Sequence, residues 1–123
     1  MGSSLLLKLA RDSMLEVFQA KRLIDKEALL KEHPILATPI ACEVAIYLDE
    51  KPYSAFKSEA NDPLLENIIL AAKKAAFESD TEHILTSTQY LHAEVELTLF
   101  TPDGAISERD KPLITDKDAL VSV

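Results

Sequence analysis

The chain has 123 residues, enough for one domain that buries roughly two thirds of the surface its unfolded form exposes, and too few for a second independent core. Apolar residues make up 47% and charged residues 28%, which excludes a disordered chain. Lys and Arg total 13 against 21 Asp and Glu, a formal charge of -8 that repels phosphate backbones and argues against nucleic acid or an anionic membrane surface as a partner.

The compact basic groups, Lys21-Arg22 and Lys73-Lys74, are too small for a nucleic-acid footprint. Near the N-terminus, Leu5, Leu6 and Leu7 are interrupted by Lys8 and Arg11 before they reach the length of a signal-peptide core or a membrane span, so no targeting segment is expected there. Cys42 is the single cysteine. It rules out an intramolecular disulfide and a Cys-based zinc site, and it fits a reducing, cytoplasmic location.

In chain order, Leu6, Leu9, Ala10, Met14, Val17 and Phe18 recur at three- and four-residue intervals, with Lys8, Arg11, Asp12 and Glu16 between them. That spacing predicts an amphipathic helix from about Ser4 to Gln19, capped by Ser3 or Ser4. A shorter helix is expected from Asp25 to Glu32, with Asp25 as its cap, Ala28 and Leu29 as its inner side, and His33-Pro34 as its stop. An extended connector between Pro34 and Pro39 follows. From Ala41 to Asp49 the chain alternates, Cys42, Val44, Ile46 and Leu48 facing one way and Glu43, Ala45, Tyr47 and Asp49 the other, as in a half-buried strand. Asp49 to Pro52 is turn-like, and Tyr53, Ala55 and Lys57 continue on a returning strand.

Asp62 before Pro63 predicts a helix start, the aspartate as cap and the proline where its missing N–H costs nothing. This helix should run to about Ser79 with Leu65, Ile68, Ile69, Ala72, Ala75 and Ala76 as its inner stripe, the alanines permitting a close approach to a sheet. Leu91 to Thr101 alternates again, with His92, Glu94, Glu96 and Thr98 on the outer face. Pro102-Asp103-Gly104 supplies a turn, after which Ile106, Leu113, Ile114 and the segment Ala119 to Val123 carry the remaining apolar material. The whole reads as a single α+β domain over residues 1–123, an antiparallel sheet flanked by helices.

Several stretches together resemble the AMMECR family: Leu9-Ala10-Arg11; Pro63-Leu64-Leu65 with Ala71-Ala72 and Ala75-Ala76-Phe77; and Ala93 to Pro102, which echoes that family's Ile-Glu-Val-Ser-Val-Leu-Thr-Pro. The likeness runs from about Leu6 to Pro102 and implies a fold more than a reaction. Where the family has Leu-Arg-Gly-Cys-Ile-Gly, this chain has Tyr53-Ser54-Ala55-Phe56-Lys57-Ser58, without glycine, arginine or cysteine, so the family's site is expected to be rebuilt or absent. Where the family has Asp-Pro-Arg-Phe, this chain has Glu78-Ser79-Asp80-Thr81. The resemblance also implies further strands after Thr101-Pro102, so the chain is expected to be a reduced member or to lack the family's C-terminal part.

Glycine occurs only at positions 2 and 104, which excludes phosphate-binding loops of the Rossmann and P-loop kinds. No serine sits in a nucleophile-elbow pattern. Cys42, on the apolar side of its strand, reads as a packing residue. His33, His83 and His92 have no metal-type spacing; His92, Glu94 and Glu96 share a face that could reach one cation but read as a solvated strand face. No cofactor or bound metal is therefore expected. Tyr53, Ser54, Phe56 and Lys57, beside a turn, are the candidate binding residues. The expectation is a non-catalytic binding or scaffold domain with an unidentified protein or small-molecule partner, or a two-fold homodimer formed through open strand edges. The alternative is an enzyme that uses a hairpin pocket near Tyr53 to Ser58 with Cys42 or His92.

Overall fold

A computed structural model describes residues 5–48, 50–59, 61–78 and 85–110. The elements run α1 (Leu5–Gln19), α2 (Lys26–Glu32), a 3-10 turn (Pro34–Ala37), β1 (Ala41–Leu48), β2 (Lys51–Ser58), α3 (Leu64–Phe77), α4 (Ser87–His92), β3 (Glu94–Thr101) and β4 (Gly104–Arg109). The strands form a four-stranded sheet in the order β2-β1-β3-β4, with every neighbouring pair antiparallel. Helices α1 and α3 pack on one face of it, giving an α+β domain with one core. The expected cap at Ser3 or Ser4, Asp49, Ser79, Leu113, Ile114 and the segment Ala119 to Val123 lie outside the described residues.

Alternation in β1 works as the sequence implies: Cys42, Val44 and Ile46 are fully buried toward the helices. Ala71, Ala72, Ala75 and Ala76 are fully buried too, and without larger side chains α3 comes close enough for Ser54 Oγ on β2 to donate to the Ala75 carbonyl at 2.6 Å. Asp25 caps α2 as expected, its carboxylate accepting from the Ala28 N–H. The connector after it is a 3-10 turn and not extended, since Pro34 occupies a helix-initiating position.

Three expectations need correction. Asp62 does not cap α3; Pro63 is the N-cap residue, the first helical N–H, from Leu64, donates to the Thr38 carbonyl at 2.9 Å, and Asp62 contributes its carbonyl to Asn67 Nδ2. His92 is not on β3: Thr86 and Gln89 form a reciprocal capping box that winds Ser87–His92 into α4, and the strand begins only at Glu94. Arg11 is not on an outer face of α1 but is 5% exposed. Its Nε and Nη2 donate to Asp110 Oδ2 and Oδ1 at 2.7 and 2.9 Å, and Nη1 and Nη2 donate to the carbonyls of Tyr90 and Ala93. Asp110 Oδ1 in turn accepts from the Val95 N–H at 2.8 Å, so α1, the end of α4, the start of β3 and the end of β4 meet at one ion pair.

The end of α1 contains a strained residue. Lys21 N–H bonds to the Glu16 carbonyl and Ala20 N–H to that of Val17, the two bonds of a Schellman motif, which places Ala20 at φ 50. Glycine is the residue that adopts this conformation without a Cβ penalty. Ala20→Gly is expected to raise stability by about 0.5–1 kcal/mol, a rise in the urea midpoint at unchanged slope, whereas any loss would contradict the motif.

Candidate functional site

The sheet face opposite α1 and α3 carries Glu43, Ala45 and Tyr47 from β1, Ala55 and Lys57 from β2, and Glu94, Glu96 and Thr98 from β3. Register brings them together: Ala45 lies opposite Ala55 on one side and Glu96 on the other, while Tyr47 lies opposite Glu94. The β1–β2 ladder shifts between Ile46 and Tyr47, since Ser54 opposes Ile46 and Pro52 opposes Tyr47. Tyr53 is the extra residue of that bulge, a device that redirects a side chain at the rim of a sheet.

The result is an open groove of about 340 Å³ lined by Glu43, Ala45, Tyr47, Tyr53, Ala55 and Glu96, among others. Its floor is the cross-strand pair of alanines. Tyr47 Oη donates to Glu96 Oε1 at 3.1 Å, and this bond to a carboxylate, with some burial, pushes the tyrosine pKa above its ordinary value and keeps the phenol a donor. From β4, the Arg109 guanidinium lies 3.8 Å from the Tyr47 ring centroid while its Nε meets Glu94 Oε1 at 2.8 Å. Further along, Lys57 Nζ sits 4.4 Å from the centroid of Phe100. Cations stacked on aromatic rings beside carboxylates thus recur across this face.

The residues expected to form a binding site do not share one surface. Tyr53 lines the groove and Lys57 lies beyond it on the same face. Ser54 also lines the groove although its hydroxyl bonds α3, and Phe56 belongs to the other face, where Lys74 of α3 approaches its ring at 5.7 Å. Arg109, which organises the aromatic and acidic residues, comes from a strand the sequence pattern did not reveal.

Cys42 and His92 are kept apart. Cys42 is fully buried opposite Leu99, and burial pushes its thiol up to about 12, leaving almost no thiolate at neutral pH. His92 precedes Glu94 at the far end of β3, so five strand steps of about 3.3 Å, roughly 17 Å, separate the two regions. Among the described residues no group of three or more His, Cys, Asp or Glu is arranged to hold a metal ion. Also among them, no helix is long and apolar enough to cross a membrane.

A larger cleft, about 730 Å³, lies between the end of α1, the start of α2 and α3. Several of its charges are engaged within the chain: Glu16 pairs with Lys73, Lys26 with Glu66, and Asp25 caps α2, while Arg22 and Glu27 also line it. It is a seam that joins helices.

No protein-family model and no curated protein matches the chain. Among solved structures it is similar to the uncharacterised protein PH0010 of Pyrococcus horikoshii, with a TM-score of 0.63 and 20% identity, over 79% of this chain and 50% of that one. The chain therefore spans half the length of that relative, and at this identity the likeness shows the α+β fold alone.

Proposed function

We propose that the chain is a non-catalytic binding or scaffold domain of the AMMECR-like kind, working in the cytoplasm, with the open sheet face as its contact surface. One observation carries the reading: that face holds a prearranged set of aromatic, acidic and basic side chains, with Tyr47, Glu94, Glu96 and Arg109 locked together by direct contacts, on the side away from the helices. Preordered side chains lose little conformational entropy on binding, which suits a contact surface. The AMMECR-like part of the proposal rests on the residues that carry the resemblance, from Leu9-Ala10-Arg11 to Pro102.

The enzyme alternative needs a reactive Cys42 or His92, and thiol labelling tests the more reactive of them. Cys42 in the folded protein is expected to react with a disulfide reagent at least about a hundredfold more slowly than in urea, because the thiol is buried and protonated. Labelling of the folded chain at the rate of a free peptide thiol, with a pH midpoint below about 8, would overturn the non-catalytic reading.

A further inference from the structure

We infer that the groove floored by Ala45 and Ala55 receives an arginine or lysine side chain from a partner polypeptide. The inference rests on the open face being the contact surface and names what that surface recognises.

Ala45 and Ala55 face each other across β1 and β2, and the small pair forms the apolar floor of the trough. Tyr47 and Tyr53 stand at one end of it. Glu96 flanks it from β3 and Glu43 from β1, diagonal neighbours because Glu96 opposes Ala45 and Glu43 opposes Thr98. The cations on this face are engaged elsewhere: Arg109 meets Glu94, and Lys57, which register places opposite Glu43, lies over Phe100. Glu43 forms no ion pair among the described residues, and Glu96 accepts from the neutral Tyr47 phenol and lies opposite Arg109, whose Nε pairs with Glu94, so the three carboxylates Glu43, Glu94 and Glu96 outnumber the cations Lys57 and Arg109 on this face. An aliphatic stem on the alanine floor, with its cationic head between two carboxylates and beside tyrosine rings, complements these features together. The same face already shows this recognition within the chain, where the Arg109 guanidinium stacks on Tyr47 at 3.8 Å and pairs with a carboxylate. A partner presenting a basic segment also suits a chain of net charge -8.

The test is an NMR titration with acetyl-Gly-Gly-Arg-Gly-Gly-amide, its lysine counterpart and its citrulline counterpart, which keeps the shape of arginine without the charge. The arginine and lysine peptides are expected to give saturable shifts at the amides of Ala45, Tyr47 and Ala55, with Kd in the millimolar range for one side chain. Binding should weaken at least about tenfold in Glu43→Gln/Glu96→Gln and on replacing arginine by citrulline, and should fall as salt rises. Ala55→Leu, which fills the trough without touching charge at an exposed position, should abolish it. Equal binding of the citrulline peptide would overturn the assignment of a basic side chain while leaving the face as a contact surface. No saturable shift up to ~20 mM, or shifts confined to the cleft around Glu16, would overturn the site itself.

Discussion

Replacing Arg11 by alanine is expected to destabilise the protein by about 3–5 kcal/mol, the cost of leaving a buried carboxylate without its partner. The side chains of Arg11 and Asp110 are 6% and 4% exposed, so water cannot take over either role. Arg11 also satisfies the carbonyls of Tyr90 and Ala93, and its guanidinium lies 5.0 Å from the Tyr90 ring centroid. Asp110→Ala should cost a similar amount, since it strands the guanidinium and the Val95 N–H together. Arg11→Ala with Asp110→Ala removes both charges at once. It should lose less than the sum of the single variants, although the carbonyls and the N–H stay unpaired, so it does not return to the parent stability. Urea midpoints for the parent and three variants give the coupling energy directly. Single-variant losses below about 1 kcal/mol, or additive losses, would show the pair to be incidental. The pair bears on the groove as well, because Asp110 follows Arg109 in sequence and Val95 separates Glu94 from Glu96. Anchoring Asp110 to Val95 fixes the register in which Arg109 reaches Glu94 and Tyr47.

How much of this could be read from the sequence depends on how local its cause is. The alternation of Cys42, Val44 and Ile46 and the stripe of Leu65, Ile68, Ala72 and Ala75 are set by the two- and 3.6-residue periods of their elements, and both proved legible. Arg11 carried no such mark: its position on α1 is what a solvated arginine would show, and its partner lies 99 residues away. Asn67 is similar, a 2% exposed amide inside an apolar helix that donates to the carbonyls of Ile40 and Asp62. Strand β4 was missed because all six of its residues are exposed, so nothing alternates; pairing with β3 and the turn at Pro102-Asp103 create it. The site was legible in pieces. Glu94 and Glu96 sharing a face followed from alternation, and so in principle did the separation of Phe56 from Lys57. The bulge at Tyr53 and the arrival of Arg109 over Tyr47 are products of cross-strand register, which a single strand's pattern does not encode.

The second large effect is expected at Glu16, where the outcome should depend on pH. The Glu16 carboxylate accepts from the N–H groups of Leu23 at 2.9 Å and Ile24 at 3.0 Å, and Lys73 Nζ meets it at 3.1 Å, so one side chain ties the segment after α1 back to that helix and to α3. Burial alone would push this carboxyl up. The two backbone donors and Lys73 outweigh it and hold the pKa below the ordinary value of 4.5. Glu16→Ala should cost about 2–3 kcal/mol at neutral pH, since the buried Ile24 N–H loses a charged acceptor. Lys73→Met should cost less than about 1 kcal/mol, because that ammonium is partly solvated. A carboxyl whose folded pKa lies below its unfolded one contributes stability that is complete above pH 4.5 and disappears as pH falls through the lower folded value. The stability difference between the parent and Glu16→Gln should therefore be constant from about pH 8 to about pH 5 and shrink as the pH falls below 4.5, as protonation gives the parent the same neutral group. Urea titrations at a series of pH values measure that difference. A gap that stays the same down to the acid limit would mean that the charge on Glu16 contributes nothing and that the glutamate acts through shape alone.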